Sequence, residues 1–455
     1  MIKSVKIFDL TDTEGTKNFF EAIQKSSVLG YYPKDGLSFH RIPERAHFIF
    51  NGDLLDRGKF GFDHLRLLTQ FKLNYPDQVT LIAGNRDINK IRLSTELDKS
   101  QIRERLLHCE SPRWVSHQTR PLDTVAGQDI NALTDEECQL IYLKWMLKDT
   151  MGSPHAFRYM REALEAENPQ KTITDKDILN RFLQETSPDG PMGEYLSLTQ
   201  LIEVIPGTSV LTLHGGLMPT NIGRTPDMKA DEPMIENIYE WAHRYNQWYQ
   251  QQIQLWREKK TPFSLQPAST PLDTISLPLI PRSIVVGNML DDHGRFNSPS
   301  IEIEKYLIRN KISLVLTGHN PYGDHPAILR GHNNVLFVSN DTCYADAHFT
   351  DPDDTRGGAL HTTEIIADEQ LTKIFIQARL SDETETQTEL TITPEGIIGD
   401  PYIGKVLADH RLVQCRLASG DYRLIEKSGK NMHYSTITAN QLEQELTKSA
   451  LNAKM

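Results

Sequence analysis

Three short apolar runs near the start of the chain each end in a polar loop that is followed by helical spacing. The runs are residues 5–8, 46–50 and 79–83, and each is rich in residues that favour β-strands. A repeated order of strand, loop and helix favours parallel strands joined by helical crossovers. The repeat therefore predicts an α/β fold, in which ligands bind beyond the carboxyl ends of the strands.

The loop after the second run is dense in charge. Its sequence places the carboxylates of Asp53 and Asp56 beside the guanidinium of Arg57. Alone, such a loop is as easily a solvated surface loop as a binding site. Similar strand-end loops carry five further donors: Asp12, Glu14, Asn85, His214 and His319. Buried carboxylates and imidazoles are costly without a compensating charge, so a cluster of them requires a cation.

The chemical types of these donors indicate the kind of cation. Carboxylate, amide and imidazole ligands suit manganese, iron or zinc, and the lack of thiolates argues against a structural zinc site. One carboxylate that bridges two ions describes a two-metal site, which activates a water and stabilises an in-line displacement at phosphorus. Arg57 and Arg86 stand beside these donors and can bind phosphate oxygens bidentately.

Composition limits the partners and the compartment. The 455 residues include 49 Lys and Arg against 61 Asp and Glu, for a formal charge of −12, so nucleic acid is not expected as the main partner. No apolar run approaches the roughly 20 residues of a membrane span, and the N-terminus does not resemble a signal peptide. Four scattered cysteines indicate reduced thiols in a cytoplasmic or other reducing intracellular compartment: Cys109, Cys138, Cys343 and Cys415. Export by a route without a cleavable signal stays open.

The changes in pattern along the chain predict its domains. Residues 1–380 are expected to form the catalytic domain, and residues 381–455 a small β-rich appendage. Between about 97 and 205 the spacing becomes helical, which predicts a helical insertion that either caps the sheet or shapes a substrate groove. Further apolar runs predict additional strands at 210–213, 283–286, 312–316 and 335–338.

Five of the loops resemble, in order, the motifs of one family. Gly52 to Gly58 resembles the G-D-x-x-D-R-G motif of the phosphoprotein phosphatase family of calcineurin-like metallophosphoesterases. The other matches are Asp12 to Gly15 with D-x-H-G, Gly84 to Asp87 with G-N-H-E, His214 to Gly216 with H-G-G, and Gly318-His319 with the late histidine motif. The pattern resembles the bacterial branch more closely, including Wip-type secreted effector phosphatases.

The resemblance implies a fold, a metal centre and a reaction. The fold is a central β-sandwich of mixed sheets flanked by helices. Two divalent ions are implied, with manganese favoured over iron or zinc: Asp12, Glu14 and Asp53 for the first, and Asp53, Asn85, His214 and His319 for the second. Arg57, Arg86 and Arg295 are the candidates for binding the substrate phosphate, and Asp56 acts with Arg57 and Arg86 in catalysis. The implied reaction hydrolyses phosphomonoesters on protein side chains by attack of a metal-bridged hydroxide.

Two residues depart from the family pattern. Glu14 stands where the family has histidine, which favours manganese over zinc at the first site. Arg86 stands where the family has the histidine that protonates the leaving group, and arginine stays charged at neutral pH. Arg86 is therefore expected to pair with Asp56 or to bind phosphate, and His293 or His348 is a candidate substitute acid. Since a phenolate leaves more easily than an alkoxide, phosphotyrosine joins phosphoserine and phosphothreonine as a candidate substrate.

Two other functions fit the same residues. A nucleotide-directed hydrolase, such as one that acts on dinucleoside polyphosphates, would use the same donors, and a comparison of turnover separates it. A pseudophosphatase that binds partners without turnover is suggested by Glu14 and Arg86, and it would be metal-free and inactive. The helical insertion and the C-terminal appendage favour a phosphorylated protein as the substrate, and the oligomeric state is left open.

Overall fold

The computed structural model describes residues 4–40, 45–112, 119–125, 127, 129–261, 264–277, 282–291, 295, 299–342, 359–428 and 431–452. The strands are β1 (Val5–Leu10), β2 (Leu29–Tyr32), β3 (Gly36–Phe39), β4 (Ala46–Phe50), β5 (Val79–Leu81), β6 (Ile202–Val204), β7 (Val210–Leu213), β8 (Leu314–Thr317), β9 (Ala327–Arg330), β10 (Leu336–Ser339), β11 (Leu360–Ala367), β12 (Thr372–Arg379), β13 (Glu385–Thr393), β14 (Gly396–Gly399), β15 (Leu412–Arg416), β16 (Tyr422–Ser428) and β17 (Asn431–Ile437).

The α-helices are α1 (Asn18–Lys25), α2 (Gly61–Asn74), α3 (Asn85–Ile88), α4 (Ile91–Glu96), α5 (Ile102–His108), α6 (Asp135–Trp145), α7 (Ala156–Glu167), α8 (Asp175–Glu185), α9 (Pro191–Leu198), α10 (Ile238–Arg257), α11 (Pro271–Ile275), α12 (Ile301–Arg309) and α13 (Ala439–Asn452).

Two mixed sheets form the centre of the fold. The larger has the strand order β14-β13-β12-β11-β1-β4-β5, and β1, β4 and β5 are parallel neighbours. The smaller has the order β6-β7-β8-β10-β9, and β7, β8 and β10 are parallel. The three apolar runs that predicted a parallel core are β1, β4 and β5, so this part of the prediction is confirmed.

The sheets face each other across a continuous apolar core. Ile7 and Ile49 of the larger sheet pack in the same cluster as Leu314, Leu316 and Val338 of the smaller sheet, and all are fully buried. Burial on this scale contributes roughly 25 cal/mol for each Å² of apolar surface. Helices α1, α2, α10 and α12 contribute to a second cluster with the other sides of the strands. The predicted sandwich of mixed sheets flanked by helices is therefore confirmed.

The predicted helical insertion lies between β5 and β6. Helices α4 to α8 bury a core of their own that includes Leu93, Ile102, Trp145 and Phe182. A π-helical turn, Met146–Thr150, continues α6. Phe62 of α2 packs against both this core and the main one, so the insertion rests directly on the helix that follows the Asp53 loop.

The domain boundary predicted at residue 380 falls inside a sheet. β13 pairs with β12, and β14 pairs with β13, so the larger sheet continues to Gly399. Leu390 and Ile392 bury their side chains in the same cluster as Ile374, because alternate residues of neighbouring strands share one face. A separate three-stranded sheet of β15, β16 and β17 begins only at Leu412.

Residues 284–286 form a bend and Ser283 has no regular secondary structure, so the strand predicted over 283–286 is wrong. The hydroxyl of Ser283 accepts hydrogen bonds from the N–H groups of Val285 (3.1 Å) and Val286 (3.2 Å). The carbonyl of Ile284 accepts a 2.9 Å hydrogen bond from the N–H of Gly215. The run is apolar because Ile284 and Val285 are buried beneath the His214 loop, so burial in a loop produced the same pattern as a strand.

Two sequence-based expectations concern membranes and thiols. Among the helices of the described chain, none combines the length and the apolar run that crossing a bilayer requires. Cys109, Cys138 and Cys415 are free and buried, as expected for reduced thiols. Cys343 lies outside the described residues.

Candidate active site

The carboxyl ends of parallel strands from both sheets meet at one place. The strand-end residues brought together there are Asp12 after β1, Asp53 after β4, Asn85 after β5, His214 after β7 and His319 after β8. Backbone hydrogen bonds tie the loops together, from Asp12 N–H to the Gly52 carbonyl (2.9 Å) and from Gly318 N–H to the His214 carbonyl (2.8 Å). Convergence follows from the fold, since neighbouring parallel strands end at the same edge.

Left-handed backbone conformations concentrate in these loops. Eleven non-glycine residues in the described chain have a positive φ, and five of them belong to the site: Asp12 (51°), Glu14 (48°), Asp53 (57°), Asp56 (103°) and His319 (65°). Each such residue costs about 1–3 kcal/mol, which the surrounding contacts must offset. Strain gathered in this way is typical of a functional site.

Two glycines allow the loops to approach each other. A Cβ atom on Gly84 would lie 2.2 Å from Oδ1 of Asp53, and one on Gly318 would lie 2.3 Å from Oδ2 of Asp12. Both distances are shorter than any real contact. Side chains at these positions would push the carboxylates out of place, so glycine is required beside each donor.

Four donors surround one point of the site. Ligand atoms of Asp53, His214 and His319 lie within 4.8 Å of one another. Nε2 of His214 is 3.3 Å from Oδ1 of Asp53 and 3.2 Å from Oδ1 of Asn85, and the same Asn85 oxygen is 2.8 Å from Nδ1 of His319. All four side chains are well placed to share one cation.

Hydrogen bonding supports this assignment at His214. Its Nδ1 lies 2.7 Å from the carbonyl of Asn51, which can only accept, so Nδ1 carries a proton and Nε2 is the ring nitrogen left to bind a metal. Burial alone would lower the pKa of His214, yet the Asp53 carboxylate raises it, so this pocket attracts positive charge. Burial and the neighbouring His214 lower the pKa of His319 to about 3, which leaves that ring neutral and able to bind a metal. A divalent cation fits this donor set.

The donors expected to bind the first ion are engaged differently. Oε1 of Glu14 is 2.8 Å from Nε of Arg86, and Oε2 is 2.9 Å from Nε of Arg57. Asp12 accepts hydrogen bonds from the Thr11 hydroxyl (2.6 Å) and from the N–H of His319 (3.2 Å). Burial, then Asp341 and Asp53, raise the pKa of Asp12 well above its usual range. Asp341 therefore joins the acidic wall of the site.

Arg86 is enclosed by carboxylates. Beyond Glu14, its Nε lies 3.6 Å from Oδ2 of Asp53, and its Nη1 lies 3.3 Å from Oδ2 of Asp56. Nζ of Lys90 is 2.8 Å from the same Asp56 oxygen. Burial alone would lower the pKa of Arg86, but these carboxylates raise it, so the guanidinium stays charged and cannot donate a proton to a leaving group. Of the two contacts expected for Arg86, the structure contains the pair with Asp56.

Two residues with clear contacts to the site were missed from the sequence. The carboxylate of Asp87 accepts hydrogen bonds from the N–H groups of Asp53 (3.0 Å), Leu54 (2.9 Å) and Gly84 (2.9 Å), and so joins the loops after β4 and β5. An acidic residue at the third position of a helix is a capping signal that could have revealed it. Lys90, which holds Asp56, carries no comparable sequence signal.

Three other candidates came from the sequence: Arg295, His293 and His348. The guanidinium of Arg295 is paired with Asp291, at 2.8 Å from Nε and 2.7 Å from Nη2 to the same carboxylate oxygen. Its binding of phosphate stays a prediction. His293 and His348, the candidate substitute acids, lie outside the described residues.

Sequence comparison finds short relatives. The chain is 46% identical over 48 residues to the serine/threonine-protein phosphatase 4 catalytic subunit of Eremothecium gossypii, and 44% identical over 48 residues to that of Saccharomyces cerevisiae. Each match covers 10% of this chain and 16% of the relative, so it spans about a sixth of those proteins. No family model matches the chain.

Comparison with solved structures finds distant similarity. A cold-active protein-tyrosine phosphatase of a Shewanella species aligns with a TM-score of 0.39 and 14% identity, over 84% of this chain and 80% of the other. A Saccharomyces cerevisiae protein serine/threonine phosphatase aligns with a TM-score of 0.34 and 13% identity, over 96% of this chain and 80% of the other. These scores are too low to establish a relationship by themselves.

The topology and the site together match the fold that the resemblance implies. Two mixed sheets with parallel strands that end at a carboxylate, amide and imidazole cluster form a calcineurin-like metallophosphoesterase fold. The predicted resemblance to the phosphoprotein phosphatase family is confirmed over the 48 residues that match the phosphatase 4 catalytic subunits. The Wip-type subgroup stays a prediction.

Proposed function

We propose that this protein is a metal-dependent phosphoprotein phosphatase that hydrolyses phosphomonoesters on protein side chains. The observation that carries the proposal is the cluster of Asp53, His214 and His319, whose ligand atoms lie within 4.8 Å of one another beside two arginines. The short identity with serine/threonine phosphatase 4 catalytic subunits supports the same reaction.

In this proposal the cation binds where the carboxyl ends of the strands from the two sheets meet. Asp53, Asn85, His214 and His319 would hold it, and the oxygen-rich surroundings favour manganese, with iron or zinc as alternatives. When bound, such an ion lowers the pKa of a coordinated water and stabilises charge that develops on the phosphoryl oxygens. The second ion expected from the sequence, at Asp12, Glu14 and Asp53, remains a prediction.

Binding of the phosphate is assigned to the arginines. The Arg57 side chain is 28% exposed and the Arg86 side chain 15%, so Arg57 is the more accessible to an anion that enters from solvent. A guanidinium can offer two parallel hydrogen bonds to one phosphate group. Glu14 contacts both Nε atoms, which orients the two guanidinium groups relative to each other.

The helical insertion supports a protein substrate. One groove is lined by Asp56 and Lys90 together with Tyr159, Met160 and Arg181 of the insertion. The groove has both apolar and charged walls. The insertion thus fits the alternative in which it shapes a substrate groove.

Protonation of the leaving group is the step for which this site departs from the family motif. Arg86 cannot supply a proton, and Asp56 is occupied by Arg86 and Lys90. An aryl oxygen needs less protonation than an alkyl oxygen, so phosphotyrosine is a substrate candidate beside phosphoserine and phosphothreonine.

Phosphate release from phosphoserine, phosphothreonine and phosphotyrosine peptides tests the proposal. With added Mn²⁺, the wild-type protein should turn over at least one peptide faster than it hydrolyses dinucleoside polyphosphates. Asp53→Asn should lose at least about 100-fold, because it removes a metal ligand. Asp189→Asn, at an exposed position of the insertion, serves as the matched control and should retain wild-type activity. Equal activity of Asp53→Asn and the wild type contradicts the proposal, and a metal-free, inactive wild-type protein favours a pseudophosphatase.

A further inference from the structure

Glu14 and Arg86 replace two neutral residues of the family pattern with two opposite charges. The two side chains contact each other, with 2.8 Å between Oε1 and Nε. The substitution therefore adds one negative and one positive charge to the same buried place and leaves the sum unchanged. Glu14 is better explained as the partner of Arg86 than as a harder metal ligand.

The pair occupies the donors that a first cation would need. Both oxygens of Glu14 contact guanidinium nitrogens, one of Arg86 and one of Arg57. The Arg86 guanidinium also reaches Oδ2 of Asp53 at 3.6 Å, and Oδ1 of Asp53 accepts a 2.8 Å hydrogen bond from the backbone N–H of Arg86. A second positive ion on these same oxygens would repel the guanidinium at short range in a poorly hydrated pocket.

The guanidinium is also fixed at its far end. Nη1 of Arg86 binds Asp56, and Asp56 is held in turn by Lys90. Moving the guanidinium aside would leave Glu14 with Arg57 alone and Asp56 with Lys90 alone, and weakening the pairing of buried carboxylates is costly. Among the described residues, the close group of metal-binding side chains includes Asp53, His214 and His319, and neither Asp12 nor Glu14 belongs to it.

We propose that the guanidinium of Arg86 takes the place of the first metal ion, so that the protein binds one divalent cation where its relatives' motifs imply two. The inference rests on the proposed function, because it assumes the cation held by Asp53, Asn85, His214 and His319. Arg86 then supplies a fixed positive charge beside the phosphate-binding Arg57, and no metal exchange can remove that charge.

Metal counting with electron paramagnetic resonance tests the inference without measuring activity. The protein is dialysed against excess Mn²⁺, the bound manganese is counted, and the spectrum is recorded. The wild type should hold one ion per chain and give the six-line spectrum of an isolated Mn²⁺. Arg86→His, which restores the residue of the family motif, should hold two ions and give the broadened spectrum of a coupled pair. Arg309→His, an exposed arginine that contacts Glu236 away from the site, is the matched control and should hold one.

The possible outcomes separate the inference from the proposed function. Two ions in the wild type, or one ion in both the wild type and Arg86→His, overturns the inference and leaves the phosphatase proposal standing. No bound ion in the wild type overturns the proposed function itself. If thermal unfolding shows that Arg86→His is not folded, Arg86→Gln replaces it, and the wild-type spectrum alone still decides between one ion and a coupled pair.

Discussion

The backbone N–H of Asp53 donates a 3.0 Å hydrogen bond to Oδ2 of Asp87. The same carboxylate accepts from Gly84 and Leu54, so it holds the loop after β4 against the loop after β5. Asp53 has a φ of 57°, a conformation that persists only when its surroundings enforce it. Asp87 is therefore a positioning residue for the side chain expected to bind the metal.

Replacing Asp87 with asparagine should loosen the metal site. An amide has one acceptor oxygen, so at least one of the three backbone N–H groups would lose its acceptor and face another donor. We expect Mn²⁺ affinity and turnover to fall about 10–100-fold, and the free energy of unfolding to fall by about 1–3 kcal/mol. Calorimetric titration and urea unfolding measure both, with Asp189→Asn as the control. Unchanged affinity would show that Asp87 does not position the site.

Arg86→His should change the preference among leaving groups. An imidazole beside Asp56 can donate a proton, which an alkoxide needs more than a phenolate does. We expect the ratio of kcat/KM for a phosphoserine peptide to that for the matching phosphotyrosine peptide to rise at least ~10-fold. The ratio corrects for changes common to both substrates, and the control Arg309→His should leave it unchanged. A constant ratio would mean that residue 86 does not limit protonation of the leaving group.

The buried ring of His64 should make stability depend on pH. It stacks on Phe19 with 4.1 Å between ring centroids, and burial lowers its pKa from 6.5 to about 3. Between these values the unfolded chain binds a proton that the folded chain does not, so stability is lost as the pH falls below 6.5. Removing one such group reduces the slope by up to about 1.4 kcal/mol per pH unit.

His64→Phe tests this dependence because phenylalanine keeps the ring and cannot be protonated. Urea unfolding at pH 6.5 and at about pH 4.5 should show a smaller loss of stability for the variant than for the wild type. His108→Phe, at an exposed position of α5, is the matched control and should keep the wild-type slope. Equal slopes for all three proteins would refute the assignment to His64.

The C-terminal sheet should stabilise the loop that follows His319. Nη2 of Arg423 in β16 lies 3.0 Å from Oδ2 of Asp324, which is fully buried. Arg423→Met would leave that carboxylate without its cation, and we expect a loss of about 3–5 kcal/mol in the free energy of unfolding. The double variant Arg423→Met with Asp324→Asn should recover part of the loss. Arg416→Met, at an exposed position of β15, is the control. If Arg423→Met lowers the free energy of unfolding no more than Arg416→Met does, the ion pair is unimportant for stability.

The sequence predicted which loops meet, because that depends on local patterns. The apolar runs before Asp53 and Asn85, and those before His214 and His319, are strands whose ends adjoin in the fold. Once the order of parallel strands is inferred, the meeting of their carboxyl ends follows from geometry.

The partners of the charged side chains could not be predicted in the same way. Whether Glu14 binds a metal or Arg86 depends on distances between loops that are far apart in the chain. The continuation of the larger sheet beyond residue 380 depends on hydrogen bonds between β12 and β13. Alternation of apolar and polar residues predicts that each segment is a strand, but it does not predict which strands pair. At residues 283–286 the sequence predicted a strand that the structure does not contain. The apolar run there reflects burial of a loop.

Anomalous diffraction from crystals soaked in Mn²⁺ tests the central claim most directly. We expect a manganese peak within bonding distance of Asp53, Asn85, His214 and His319, with the side chain of Arg86 still against Glu14. Well-ordered crystals that show these four side chains without a manganese peak between them would contradict it.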